Sequence, residues 1–154
     1  MFSIATAEEM DNLGRTVAQH VRAGDVICLT GELGAGKTTF TRGFGAELAV
    51  RGTVTSPTFV IARTHPRVDG VPLVHVDAYR LTNAGELEDL DLDWENSITV
   101  VEWGSGMLDT IIDEWLEIVI DRSHSADDEA RTVTLHAHGP RGNELADEIG
   151  RSLR

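Results

Sequence analysis

The sequence is short of the features that would direct it to a membrane or an oxidising compartment. It has one cysteine, Cys28, so no intrachain disulfide can form, and we expect this residue to be a small buried hydrophobe. No apolar run approaches the roughly 20 residues that a membrane-spanning helix needs. The first fifteen residues carry acids and no basic segment ahead of an apolar core, so no secretory signal is expected. We therefore predict a cytoplasmic protein with no membrane partner.

Positive charge is also scarce in this chain of 154 residues. Thirteen Lys and Arg residues oppose 26 Asp and Glu residues, which leaves a formal net charge of −13. A protein that holds RNA on its own is expected to present a basic face that neutralises phosphates, and the sequence has no cluster of Lys and Arg. If the protein serves a nucleic acid, we expect a partner protein to hold that nucleic acid.

The order of predicted helices and strands is typical of an α/β fold. Thr6 and Glu9 have the spacing of a capping box, which predicts a helix that ends before Gly24. Hydrophobic patterning predicts strands at 26–30, 59–64, 71–77, 98–103, 115–121 and 131–138, and further helices at 37–48, 81–92, 107–112 and 144–153. Two of the strand pairs are predicted hairpins, whereas neighbouring parallel strands need a long crossover. We predict one α/β domain over 1–154, with a mixed parallel and antiparallel sheet flanked by helices.

The segment GELGAGKTTF, from Gly31 to Phe40, matches the phosphate-loop pattern G-x-x-x-x-G-K-[ST] at every fixed position. Its glycines allow backbone N–H groups to point into one cavity, and the following helix presents its positive end to an anion. In this pattern Lys37 reaches the outer phosphates and the Thr38 hydroxyl ligates Mg²⁺. A chance glycine turn does not account for a complete motif between a strand and a helix. The loop therefore predicts binding of a nucleoside triphosphate with Mg²⁺, and we expect the domain over 1–154 to be a single P-loop NTPase domain.

Two predicted strands end in a carboxylate. The strand LVHVD ends at Asp77, and the strand ITVVE ends at Glu102. A helical segment between them favours a right-handed crossover, so both carboxylates should face the phosphate loop at one edge of the sheet. We expect them to share the metal and an attacking water, and the sequence leaves open which residue does which. The alternative is that both are solvated acids at strand ends.

The segment SPTF, Ser56 to Phe59, follows the helix after the loop and carries two hydroxyl groups. Nucleotide switches often place a threonine in this region, where it senses the γ-phosphate through Mg²⁺. Thr58 is the candidate for that role, and an ordinary polar turn is the alternative reading. Trp103, directly after Glu102, is a candidate for packing beneath the nucleotide site.

Together these segments resemble the bacterial TsaE (YjeE) family, small ATPases of tRNA threonylcarbamoyladenosine biosynthesis. The matching pieces are GELGAGKTTF, SPTF, HVDAYRL and VEWG, in that order across Gly31 to Gly104. The resemblance implies Mg²⁺ held by Thr38 and Glu102, and catalytic or switch roles for Asp77, Thr58 and Lys37. It places the adenine near the first helix and the last hairpin. The nucleotide contacts that it implies are Thr6, Glu9, Leu33, Gly34, Ala35, Gly36, Lys37, Thr38, Thr39 and Arg131.

The resemblance also implies partners. Members of the family act on a complex of two sugar-kinase-like proteins, TsaB and TsaD, and ATP turnover resets that complex between cycles of tRNA modification. The tRNA would then meet this chain only through those partners, which agrees with its acidic composition. The chain departs from the family pattern at 127–131, where DDEAR replaces the frequent GREAR, and at Ser105, which follows the EW pair where an acid or amide is frequent.

Three other classes of protein use a similar loop. A metabolite kinase usually adds an acceptor-binding region and an arginine-bearing lid, yet the residues from Lys37 to Asp77 are largely used by a helix and a hairpin, and only Arg122 and Arg131 follow Glu102 before the C-terminal segment. A GTPase carries the guanine-reading motif N-K-x-D, which is absent. An adaptor that binds ATP without splitting it remains an alternative, because the sequence contains no information on rate.

Overall fold

The computed structural model describes residues 2–32, 34–51, 61–122 and 130–153. The strands are β1 Phe2–Ile4, β2 Val26–Gly31, β3 Ala62–His65, β4 Leu73–Asp77, β5 Ile98–Glu102, β6 Trp115–Arg122 and β7 Arg131–His138. The α-helices are α1 Ala7–Ala18, α2 Lys37–Glu47, α3 Ala84–Glu88 and α4 Gly139–Ser152, and short 3₁₀ turns cover Ala78–Arg80 and Leu108–Thr110. None of the helices in these ranges is long and apolar enough to cross a bilayer.

The strands form one seven-stranded sheet with the order β1-β7-β6-β2-β5-β4-β3. The four central strands β6, β2, β5 and β4 are parallel to one another. Antiparallel pairs extend both edges, since β3 pairs with β4 while β7 pairs with β6 and β1. The predicted mixed sheet and both predicted hairpins are therefore confirmed.

Helices cover both faces of this sheet, as a buried parallel sheet requires. On one face, apolar residues of α1, α2 and α4 pack in a core with β2 and β5 that includes Leu13, Phe40 and Leu145. On the other face, Leu87 and Leu108 belong to a second cluster with apolar side chains of β2, β4 and β5. Cys28 lies in this second cluster and is fully buried, as predicted. Burial raises the pKa of its thiol to about 12, which keeps it protonated and unreactive.

Helices α1 and α2 contact each other through their backbones. A Cβ atom on Gly14 of α1 would lie 2.1 Å from the Phe40 carbonyl oxygen, and one on Gly43 of α2 would lie 2.2 Å from the Asp11 carbonyl oxygen. Only glycine fits at such a distance. Since α2 begins at Lys37, directly after the glycine-rich loop, this contact fixes α1 beside that loop.

The N-terminus of α1 has the predicted cap. The Thr6 hydroxyl accepts a hydrogen bond from the Glu9 N–H at 3.1 Å. The Glu9 carboxylate accepts from the Ala5 N–H at 2.6 Å, one residue before the partner that a capping box would use. The first bond satisfies an N–H group that a helix start would otherwise leave unpaired, and the second bond ties the residue before the N-cap to the first turn.

Loss of this cap gives the first testable prediction. Thr6→Ala should lower the free energy of unfolding by about 1 kcal/mol, because the Glu9 N–H loses its acceptor. Urea denaturation of the nucleotide-free protein measures the change. Thr16→Ala is the control in the same helix, since the Thr16 hydroxyl only donates back to the Asn12 carbonyl, and its effect should stay within about 0.5 kcal/mol. Equal losses in both variants would contradict the capping role.

Several helix boundaries were predicted wrongly. Helix α1 ends at Ala18 and not near Gly24, and the predicted helix 81–92 is only the five residues of α3. Asp91 has a positive φ of 52°, which ends the helical run before the apolar pattern does. Helix α4 begins at Gly139, five residues before the predicted start, because the proline after it is pre-set for the first helical turn. The predicted helix 107–112 is a 3₁₀ turn.

The strand predictions differ from the structure mainly at the edges. Strand β1 was not predicted, because its three residues are held by pairing with β7 and have no pattern of their own. The predicted strand 71–77 begins at Leu73. The predicted strand 59–64 lies partly outside the described residues, and its described part overlaps β3, which runs one residue further. Strand β5 ends at Glu102, since Trp103 has a left-handed φ of 62°.

Candidate functional site

The carboxyl ends of β4 and β5 bring two acids together beside the glycine-rich loop. Asp77 and Glu102 are the last residues of these two neighbouring parallel strands and lie opposite each other in register. They line one cavity of about 240 Å³ with Trp103 and with residues of the loop and the start of α2, namely Gly34, Gly36, Lys37, Thr38 and Thr39. The crossover predicted from the sequence is what produces this arrangement. The ligand roles of these residues stay predictions.

The loop has the backbone that an anion-binding turn needs. Gly34 and Gly36 have positive φ angles of 82° and 116°, which side chains disfavour. The Ala35 N–H donates to the Glu32 carbonyl at 2.9 Å and closes the turn. Gly36 is the N-cap of α2 and has no side chain to cap it. The first N–H groups of α2 therefore point toward the cavity with the positive end of the helix, where an anion would be stabilised.

The Lys37 ammonium is enclosed at the floor of the loop. Lys37 is 6% exposed, and its Nζ donates to the carbonyls of Gly31 at 2.6 Å and Glu32 at 3.1 Å. The Trp103 ring lies 4.4 Å from Nζ, within cation–π distance, so this tryptophan packs at the site as suggested from its position in sequence. Burial lowers the pKa of Lys37, and the nearby carboxylates of Glu102 and Asp77 oppose that shift.

The sequence interpretation missed a buried hydrogen-bond partner of Glu102. Glu102 is 3% exposed, and one of its oxygens, Oε2, lies 2.5 Å from Nε2 of the fully buried His75. His75 is two residues before Asp77 on β4, so both side chains face the same side of the sheet. The two-residue spacing could have revealed this contact from the sequence. A polar residue in an otherwise apolar strand, on the same face as an acid of the site, is a candidate hydrogen-bond partner for the site.

A second, smaller cavity adjoins the first on the side of α1. It has a volume of about 140 Å³ and is lined by Thr6, Ala7, Met10, Gly34, Ala35, Gly36, Thr39 and Arg131. The Arg131 guanidinium donates from Nε to the Ala35 carbonyl at 3.1 Å, which ties the start of β7 to the loop. The first helix and the last hairpin, both predicted to contact the base, therefore meet at this loop.

Not every predicted contact lies at these cavities. Of the described residues, Glu9 lines neither cavity, because its carboxylate is engaged with the Ala5 N–H at the helix cap. Leu33 and the predicted switch residue Thr58 lie outside the described residues, as does most of the segment 127–131. Their predicted roles stay predictions.

The oxygen donors at the larger cavity fit Mg²⁺. The Thr38 hydroxyl and the carboxylates of Glu102 and Asp77 are hard ligands of the kind that Mg²⁺ prefers. Within the described ranges, no group of three or more His, Cys, Asp or Glu side chains is arranged to hold a metal alone. Mg²⁺ normally binds through one or two protein ligands together with water and substrate phosphates. The site therefore fits a Mg²⁺ ion that arrives with a nucleotide.

Comparison with known proteins identifies the family. Residues 4–133 match the family model for "Threonylcarbamoyl adenosine biosynthesis protein TsaE". The Streptomyces coelicolor protein named tRNA threonylcarbamoyladenosine biosynthesis protein TsaE is 56% identical over 137 residues, which cover 86% of this chain and 93% of that protein. The Bacillus subtilis protein of the same name is 40% identical over 148 residues, covering 94% and 89%. A crystal structure of Bacillus subtilis YdiB aligns with a TM-score of 0.77 at 32% identity, covering 99% of this chain and 95% of that one. With the family match spanning most of its length and relatives of this similarity, the chain belongs to the TsaE family.

Proposed function

We propose that this chain is a Mg²⁺-dependent ATPase of tRNA threonylcarbamoyladenosine biosynthesis that works in the cytoplasm. The pathway is the one that the relatives' names give. The hydrolytic activity rests on one observation, the convergence of Asp77 and Glu102 on the cavity that Lys37 and Thr38 line. A loop that only held a nucleotide would need the glycine turn and the lysine, but not two carboxylates at neighbouring strand ends.

In this proposal each residue has a separate task. Lys37 leaves the loop carbonyls and binds the outer phosphates, and the N–H groups of the loop and of α2 hold the remaining phosphate oxygens. Thr38 and Glu102 hold Mg²⁺, which when bound supplies positive charge to the phosphates. Asp77 orients the attacking water, and its Oδ1 already accepts from the Tyr79 N–H at 3.1 Å, which fixes the carboxylate at the end of β4.

A partner should complete the site. Among the described residues, the lining of the 240 Å³ cavity includes Lys37 but no arginine, whereas fast phosphoryl transfer commonly uses an arginine that reaches the transferred group. We therefore propose slow turnover by the isolated chain and faster turnover with TsaB and TsaD. The tRNA would bind those partners, in keeping with the net charge of −13 on this chain.

The test is a hydrolysis assay with and without TsaB and TsaD. We expect the partners to raise the ATP turnover number at least about tenfold, since an arginine supplied by a partner accelerates some P-loop enzymes by roughly 10³–10⁵. The Lys37→Ala chain with the same partners measures hydrolysis by contaminants. Equal rates with and without partners would contradict the completed-site proposal. ATP that stays intact while it stabilises the complex would identify a non-catalytic adaptor.

A further inference from the structure

A buried histidine touches the proposed metal ligand from inside the protein. His75 lies in the middle of β4, opposite Val100 of β5, and reaches diagonally to Glu102, two residues further along that strand. The two side chains are almost fully buried, and Nε2 of His75 is within hydrogen-bond distance of Oε2 of Glu102. His75 does not line the 240 Å³ cavity, whereas Glu102 does. The histidine therefore stands behind the carboxylate and not beside the ligand.

The hydrogen bond defines the orientation of the ring. An ionised carboxylate can only accept, so the Nε2–H of His75 donates to Oε2 of Glu102, and Nδ1 is the ring nitrogen that this contact does not use. Among the described residues, this buried Nδ1 has no partner. Leu73, on the same face of β4, is fully buried in the apolar core. An aliphatic side chain at position 75 would extend that core without an unpaired polar atom, so packing does not explain the histidine.

We propose that His75 is a positioning residue that holds one oxygen of Glu102 and thereby directs the other oxygen at Mg²⁺ of the bound nucleotide. The inference rests on the proposed function, because it concerns the same metal. Carboxylate ligands are usually held by a hydrogen bond from an outer residue, and loss of such a partner typically costs 10- to 100-fold in metal affinity. Without this bond, Glu102 would be free to turn toward the Lys37 ammonium, which lines the same cavity.

Replacing His75 by glutamine or by asparagine separates the positioning role from a role in filling space. The amide nitrogen of glutamine lies the same number of bonds from Cα as Nε2 of histidine, whereas that of asparagine matches Nδ1 and falls short of Glu102. The assay measures binding of a non-hydrolysable ATP analogue over a range of Mg²⁺ concentrations. The quantity compared is the Mg²⁺ concentration that gives half of the Mg²⁺-dependent increase in affinity for the analogue. His75→Asn should raise this concentration by about 10- to 100-fold, while in His75→Gln it should stay within about threefold of the value for the original protein. Binding without Mg²⁺ should be unchanged in both.

His65→Asn is the matched control. His65 is a buried histidine in the neighbouring strand β3, its Nε2 has no partner in the described ranges, and it has no hydrogen bond to Glu102. Its removal should leave the Mg²⁺ dependence unchanged. In a Glu102→Gln background, His75→Asn should add less than about twofold, because two residues that act through one contact are not additive.

The outcomes separate the two proposals. If the original protein binds the analogue with no dependence on Mg²⁺, the proposed function fails. If it depends on Mg²⁺ and His75→Asn has the same midpoint, the positioning role is wrong, as it is if the asparagine and glutamine variants lose affinity equally. Should thermal unfolding show that His75→Asn does not fold, His75→Gln decides, since a shift above tenfold in that variant would overturn the inference.

Discussion

Replacing Lys37 by alanine is expected to weaken ATP binding by about 10- to 100-fold. The ammonium is enclosed between the loop carbonyls and the Trp103 ring, and Lys37 is almost fully buried. A phosphate that replaces those carbonyls therefore gains a charge-assisted hydrogen bond to this ammonium. Such bonds contribute roughly 1.5–3 kcal/mol, and every 1.4 kcal/mol is a factor of about ten in the dissociation constant. Isothermal titration calorimetry of ATP into the original protein and into Lys37→Ala, with Mg²⁺ present, measures the two dissociation constants.

Arg42→Ala provides the control for net charge. Arg42 is an exposed cation on the same helix, α2, so its loss changes the charge of the protein by the same amount without touching the loop. Its effect on the dissociation constant should stay within about threefold, because exposed charges are screened by solvent and salt. If both variants lose affinity equally, long-range charge and not contact with the phosphates would account for the role of Lys37.

Replacing Glu102 by glutamine should lower Mg²⁺-dependent turnover by roughly 100-fold or more, with a much smaller change in nucleotide affinity measured without Mg²⁺. A metal ion contributes several kcal/mol to stabilising the charge of a phosphoryl-transfer transition state, and each 1.36 kcal/mol is about tenfold in rate. Glutamine keeps the size of the side chain and an acceptor for His75, so the change is confined to the charge. Steady-state hydrolysis in the presence of the partners, over a range of Mg²⁺ concentrations, is the measurement.

Glu117→Gln is the matched variant for that experiment. Glu117 is a half-buried carboxylate on β6, which β2 separates from the strand of Glu102. It accepts a hydrogen bond from the Thr30 hydroxyl at 2.6 Å and does not line the 240 Å³ cavity. Its neutralisation should leave turnover within about threefold of the original rate. Unchanged turnover in Glu102→Gln would reduce that residue to a buried acid without a part in the chemistry.

The parts of the site that were predictable are those whose signal is local in the sequence. The glycine-rich loop, the helix that follows it and the acids at two strand ends are each written in fewer than a dozen consecutive residues. The right-handed crossover rule then places Asp77 and Glu102 at one edge. The cap at Thr6 is equally local, since its acceptor and donor are three residues apart. These features needed no knowledge of the tertiary structure.

The parts that were missed depend on contacts between distant segments. In the sequence, His75 is one polar residue in an apolar strand. Its contact with Glu102 becomes evident only when β4 and β5 are aligned in register. Strand β1 exists because β7 offers it a partner, and the pairing of Phe2 with Val133 leaves no trace in the local pattern. Gly14 resembles an ordinary weak point in a helix until the Phe40 carbonyl is seen against it. Tertiary packing decides all three.

The enclosed amine of Lys37 also makes the protein simple to probe by chemical modification. Lys37 is the only lysine in the sequence, so the chain has a single ε-amine, and that amine is at the floor of the loop. An acylating reagent small enough to enter would add one mass increment per molecule there, apart from any at the α-amine. The fraction of chains that lack this adduct in an intact-mass spectrum would then give the fraction of glycine-rich loops occupied by nucleotide.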